Sequence, residues 1–368
     1  LILMRPVMAT GAGSLPHLDP CLAVDNVRRN FPQIPAWPEL FNLTTGNSYL
    51  HQYLGSLLDL GLLVEIPGKK PYFDTRHPDW LTKQTAFYQL YLDAVGGNVT
   101  ALQAFGTTRK AAPGFFAFLD DLDARGTGPA MYLKGQLGGP VALGMEICDE
   151  NGRPAYYDLH LRDLITKCLA LHGAWQVQQL KSFGLPVIIA VDEAGLIYHG
   201  TSAFITLNDK DIIADLNCVL GAIEVMGGIS CLHLCGRPHW PIALSTKATI
   251  INFHAYEYHK TLPLYARELN QFLQKGGLLA WGMVPCNAKD LAAETPHNLY
   301  LQLSATLGAL LRKGIPSSLL RQALITPSCG LSSLTPEKAD QACSYTRELC
   351  DYMEEYFSTL DQKTKTGA

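Results

Sequence analysis

The sequence predicts an α/β fold, a single (β/α)8 TIM barrel over residues 1–368 with an insertion at about 67–128. Three observations carry that expectation. Eight short apolar segments alternate with stretches of helical periodicity, the pattern of a parallel sheet with helices outside it. The 368 residues suit one barrel, a fold that runs from about 200 to more than 400 residues. The first glycine-rich turn, Gly11-Ala12-Gly13-Ser14, lacks the third glycine and the later acidic partner that an open dinucleotide-binding sheet carries there.

Taken in order, Met8 to Ser14 reads as a first strand leaving through glycines. Asp19-Pro20 then supplies the cap and first residue of a helix that continues to about Asn30. A second strand is expected near Ile34 to Leu40. The stretch from Pro67-Gly68-Lys69-Lys70-Pro71 to Gly126-Thr127-Gly128 is irregular with helical patches, and is expected to pack on the barrel. The pattern then becomes regular. Strands are expected at Ala130 to Gly138, Pro186 to Val191, Gly228 to His233, Thr249 to Phe253, Gly277 to Gly282 and Leu324 to Thr326. Between and after them, helices are expected at Leu159 to Phe183, Ile212 to Val225, Leu262 to Gln274, Leu299 to Arg312 and Pro336 to Phe357.

Composition narrows the function. Apolar residues make up 48% and charged residues 17%, against about 25% charged in an average globular chain, which excludes intrinsic disorder. With 29 basic and 33 acidic residues, the net charge of -4 gives no electrostatic footprint for nucleic acid. No basic helix or lysine-rich tail suggests a membrane surface, and no apolar run approaches the ~18 residues of a membrane span. Leu1 to Pro6 has no charged region ahead of its short apolar stretch, so it does not read as a secretory signal. Ten cysteines without such a signal predict reduced thiols and a cytoplasmic location.

The chemistry concentrates in Cys231-Leu232-His233-Leu234-Cys235-Gly236. Residues two apart on a strand share a face, so His233 and Cys235 project together at the C-terminal end, where barrel enzymes keep their reactive groups. An imidazole and a thiolate that converge make half of a zinc site, though they equally suit a core histidine beside a small buried thiol. The next strand ends in His254-Ala255-Tyr256-Glu257, offering a histidine or a carboxylate. The last ends in Thr326-Pro327-Ser328-Cys329-Gly330, bringing a second thiol to the same rim, 94 residues after Cys235. His233, Cys235 and Cys329, with Glu257 or alternatively His254, form the expected zinc ligand set. Asp192 and Glu193 end the Val187–Val191 strand; Asp192 reads either as a grip on a substrate ammonium or as a helix cap. His239 and His259 read as solvated loop histidines, Lys134 as a polar residue of the barrel mouth, and Cys286 as a spare ligand or a bystander. Cys21, Cys148, Cys168, Cys218, Cys343 and Cys350 read as packing residues.

These residues resemble the catalytic C-terminal barrel of cobalamin-independent methionine synthase, where a His-x-Cys, a Glu and a distant Cys hold zinc. Gly13-Ser14-Leu15-Pro16 and Val191-Asp192-Glu193 resemble that family's Gly-Ser-Phe-Pro and Asp-Glu-Pro segments, which bind the amino-acid part of homocysteine. The resemblance runs from about Gly11 to Gly330 and extends to the wider superfamily of uroporphyrinogen decarboxylases and corrinoid methyltransferases, in which His-x-Cys-Gly recurs. It implies a zinc-dependent methyltransferase that activates a thiol, most directly homocysteine, and methylates it from methyl-folate or methyl-corrinoid. Asp192 would then be the catalytic carboxylate, with Ser14, Asp192 and Glu193 binding substrate.

Four departures bear on this. Counting 22 residues from Cys235 gives Glu257 as the fourth ligand, whereas aligning strand ends gives His254. The proline of Asp-Glu-Pro is Ala194. The family's penultimate-strand histidine falls near Trp281-Gly282-Met283 and is absent, and no N-terminal barrel is expected. The last two weigh against folate. A metal-free decarboxylase on the same barrel would need arginines around an acidic substrate, for which Arg5 and Arg237 are the nearby candidates. A non-catalytic zinc or corrinoid binding protein would have a closed, four-ligand site.

Overall fold

Seven short segments form one parallel sheet: β1 (Val7–Ala9), β2 (Leu133–Gly138), β3 (Val187–Asp192), β4 (Ile229–Leu234), β5 (Ile250–Phe253), β6 (Leu278–Val284) and β7 (Ala323–Pro327). The strand order is β1-β7-β6-β5-β4-β3-β2, with every neighbouring pair parallel. The computed structural model describes residues 7–43, 48–66, 69–198 and 207–366; Arg5 and Pro67-Gly68 lie outside them.

The sheet curls so that β1 and β2 face each other across the segment predicted as the second strand. That segment makes single bridges in place of a ladder, Ala36 with Lys134 and Ser14 with Glu39. Trp37 N donates to Lys134 O (3.1 Å), Glu39 N to Gly13 O (3.1 Å) and Leu15 N to Glu39 O (2.9 Å). Pro35 and Pro38 explain the difference, because each removes a backbone donor that a full strand would use. The result is a TIM-barrel-like half-barrel with a stitched seam, not a fully closed ring.

Alternation along the strands builds the interior. Met8, Ile188, Ala190, Cys231, Ile250 and Leu324 belong to an apolar cluster enclosed by the sheet and separate from the larger core between sheet and helices. Two residues further along the same faces the side chains turn polar: Thr10, Asp192, His233, Asn252 and Thr326. The functional layer therefore rests on an apolar plug.

Outside the sheet, Asp19 caps the helix Pro20–Asn30 as expected, accepting from Cys21 N at 2.8 Å. Leu159–Lys181 is buried along most of its length, since the sheet covers one side and the insertion another. The insertion's Phe115 packs edge-on against Trp37 (5.4 Å) and beside Trp175 of this helix (5.1 Å). The insertion adds helices Trp80–Val95, Val99–Gln103 and Pro113–Arg125, and strands Leu63–Val64 and Tyr72–Phe73 that join Cys148–Asp149 in a small sheet. Irregular structure thus begins near Phe41, ahead of the expected 67.

Three helix starts differ from expectation, the helix expected from Ile212 beginning at Asp209. Pro263 holds His259–Tyr265 as a 3-10 turn, so the α-helix starts at Ala266. Thr295 caps a helix from Pro296, its hydroxyl accepting from Asn298 N at 3.1 Å. No helix among the described residues is long and apolar enough to cross a membrane.

The central helix Leu159–Lys181 starts on Asp158, whose carboxylate accepts from His160 N (2.9 Å) and Leu161 N (3.2 Å). Asp158→Ala leaves those donors uncapped and is expected to cost about 1 kcal/mol. In urea unfolding the midpoint should fall with an unchanged slope.

Candidate metal centre

His233 lies near the end of β4, in register with Asp192 on β3 and Asn252 on β5. Cys235 follows two residues later, and Gly236 then turns the chain at φ 105°. A Cβ at Gly236 would sit 2.8 Å from Ile197, so this turn demands glycine on both conformation and space. Cys329 arrives from β7 on a turn held at both ends, Ser328 N donating to Val284 O (2.8 Å) and Leu331 N to Ser14 O (2.9 Å).

These two turns bring an imidazole nitrogen of His233 and the Sγ atoms of Cys235 and Cys329 within 4.8 Å of one another. The sulfurs are 2.6 Å apart. Nδ1 of His233 lies 2.5 Å from Oδ1 of Asn252, while Nε2 is buried with no hydrogen-bond partner among the described residues.

The electrostatics describe a site in need of a cation. Burial alone would lower the His233 pKa, yet the Cys329 thiol, the Asp192 carboxylate and Asn252 outweigh it and raise the value. The two thiols are coupled: contact with Cys329 lowers the Cys235 pKa, while Cys329 itself is raised by Cys235 and by burial. One nitrogen and two sulfurs are donors that zinc prefers, and the unpartnered buried nitrogen supplies the open lone pair. The residues present fit a zinc ion.

Beside this cluster lies a buried ionisable group. Asp192 has a buried Oδ1 without a partner among the described residues, and burial raises its pKa against the pull of His233 and Lys134. Glu39 is 4% exposed and accepts from Gln52 Nε2 at 2.7 Å. Burial and the Asp192 charge push its carboxyl up to about 8, against Gln52 and Lys134. Lys134 is equally buried and donates to Ala12 O at 3.0 Å; burial lowers its pKa against Asp192, Cys231 and Glu39.

The other expected residues fall outside the three-donor group. Glu257 is exposed within the helix Ala255–Tyr258, and His254 is the residue before that helix, its pKa lowered by burial. The Glu193 carboxylate is engaged by backbone, accepting from the N–H groups of Val141 (3.0 Å), Ala142 (2.9 Å) and Gly195 (2.7 Å). It anchors the start of the helix Pro140–Glu146 to β3. Ser14 abuts the Cys329 turn, its Oγ 2.0 Å from where a Cβ on Gly330 would lie.

Of the histidines expected in solvated loops, His259 is instead buried, with Nδ1 2.5 Å from Thr306 Oγ1. His239 caps the helix Trp240–Ser245 by accepting from Ile242 N. Cys286 is half-buried, its thiol pushed up by burial, and Arg237 is exposed. Cys21 and Cys218 are exposed, not packed. Sequence reasoning missed Asn252, Glu39 and Gln52. Asn252 is the one polar residue of Ile250–Phe253, and Glu39 stands between Pro38 and Leu40 in an apolar run; those interruptions were the available signals.

No family model matches the chain, and no curated protein matches it. Solved structures do match. One is a B12-independent methionine synthase from Shewanella sp. W3-18-1 in complex with selenomethionine. It aligns at 14% identity and a TM-score of 0.45, over 66% of this chain and 68% of that one.

The raised Glu39 pKa has a consequence for stability. A carboxyl whose folded value, about 8, exceeds its ordinary 4.5 contributes most below pH 4.5, and its contribution declines as pH rises through 8. Glu39→Gln removes that loss while keeping an acceptor for Gln52. Its stability relative to wild type should therefore climb between pH 5 and 8, by up to about 1.4 kcal/mol per pH unit. Urea melts of both proteins across that range check it, and a constant difference would place Glu39 in water.

Proposed function

We propose that this chain is a zinc-dependent methyltransferase that activates a thiol, homocysteine, and methylates its sulfur, as a methionine synthase does. The observation that carries this reading is the convergence of His233, Cys235 and Cys329, from two separate strand ends, within 4.8 Å. Three protein donors leave one position of a tetrahedral ion for substrate, the arrangement of catalytic as opposed to structural zinc. A bound zinc ion supplies the Lewis acidity that keeps a thiol of pKa ~8.5 ionised at neutral pH.

The chain's own residues do the rest. Cys235 and Cys329, as thiolates, balance the charge of a divalent ion, so the substrate sulfur keeps its electron density. Asp192, with its unpartnered buried oxygen, takes the ammonium of the amino-acid substrate. Ser14, abutting the Cys329 turn, donates to the substrate carboxylate. Gripping the substrate at both ends fixes its sulfur for in-line attack on the methyl group, and this alignment supplies much of the acceleration. The donor is a methyl-folate or a methyl-corrinoid, the latter free or on a corrinoid protein. The His-x-Cys-Gly segment and the absence of a histidine at Trp281-Gly282-Met283 favour the corrinoid.

Metal analysis of purified protein should find about one zinc per chain, falling severalfold in Cys235→Ser and in Cys329→Ser. Homocysteine should alter the spectrum of the cobalt-substituted protein; an unchanged spectrum would mean a closed, structural site. Methyl transfer to homocysteine from each donor tests the reaction, and activity with neither would end the proposal.

A further inference from the structure

Resting on the zinc reading above, we infer that Asn252 is the positioning residue that locks His233 in the tautomer able to bind metal. Asn252 is 5% exposed and lies between His233 and Ala280 in the strand register. Its Nδ2 donates to Ala280 O and to Thr326 Oγ1, both at 2.9 Å. Its Oδ1 lies 2.5 Å from Nδ1 of His233.

The orientation of the amide follows from the Ala280 carbonyl. A carbonyl oxygen only accepts, so the NH2 group of Asn252 must face it. Reversing the amide would set two acceptors against each other at 2.9 Å in a buried place. With NH2 committed to Ala280, Oδ1 faces Nδ1 of His233, and an acceptor there requires a proton on Nδ1. A neutral imidazole protonated on Nδ1 carries its lone pair on Nε2. Nε2 is the buried nitrogen that has no hydrogen-bond partner among the described residues.

Two further features fit the role. An amide selects the tautomer without bringing a third negative charge beside two cysteine sulfurs. The bond to Thr326 also ties the His233 side to β7, three residues before Cys329. Asn252 thereby sets both the protonation of one ligand and the approach of the other.

Histidine 15N shifts of metal-free wild type, with His233 assigned through His233→Gln, should show the proton on Nδ1. Competition with a chromophoric chelator then measures zinc affinity. Asn252→Leu should mix the tautomers and weaken zinc about 10- to 100-fold. Asn252→Asp keeps an acceptor toward Nδ1 and, protonated on its other oxygen, a donor toward Ala280 O, so its 15N shifts should still place the proton on Nδ1. A proton on Nε2 in metal-free wild type, or a folded Asn252→Leu with wild-type affinity, would overturn the inference. If the leucine variant does not fold, the wild-type tautomer and the aspartate variant decide. Wild type that carries Nδ1–H but binds no zinc would sink the zinc reading and leave the tautomer lock standing.

Discussion

The two-residue period of a parallel strand is the constraint on which the site depends. Once Ile188, Cys231, Ile250 and Leu324 face inward to fill the barrel, the residues two further on must also face inward. Ala190 continues the plug and Asp192 follows, while His233, Asn252 and Thr326 come at once. Register does the rest, setting Asp192 beside His233 and His233 beside Asn252. A slip of one residue on β4 would turn His233 and Cys235 outward together. The ligands are therefore held by the same packing that holds the fold.

That arrangement has an energetic cost, visible in the protonation of the polar layer. Glu39, Asp192 and Lys134 are all displaced in the direction that burial dictates, each toward its neutral form. Their mutual attractions offset only part of that burial. Hydrogen bonds account for other polar side chains of this layer: Gln52 serves Glu39, Ala12 O takes Lys134, and Thr10 Oγ1 donates to Ile34 O at 2.8 Å. Among the buried atoms without partners in the described residues, which include Gln136 Oε1, His254 Nδ1 and Ser328 Oγ, Nε2 of His233 and Oδ1 of Asp192 lie where a cation or a substrate would meet them.

The sequence made the strand positions legible because β-branched runs such as Val187–Val191 are apolar on both faces, and the Asp19-Pro20 start because capping is local. His233, Cys235 and Cys329 were legible because the strand ends are short and the residue types rare. The seam was not, since Pro35 and Pro38 act by removing bonds that only the tertiary partners reveal. The partners of Glu193 were hidden for a related reason. A carboxylate at a strand end can turn toward the barrel mouth or toward a neighbouring helix, and only the position of Val141 and Ala142 shows that it anchors the helix that follows the adjacent strand β2. Asn252 escaped because a lone amide in an apolar strand has no meaning until His233 and Ala280 stand on either side of it.

The place of Glu257 bears on the chemistry. β5 ends at Phe253, and the chain enters a helical turn at Ala255, which carries position 257 out to solvent. The residue of β5 that shares the level of His233 is uncharged Asn252. The donor set contributed by the described residues is therefore two thiols and one imidazole, without a carboxylate. Two thiolates would cancel the charge of a divalent ion held here. With Asn252 neutral beside the imidazole and Glu257 turned to water, the three donors are a set that would suit a divalent ion with room left for a further ligand.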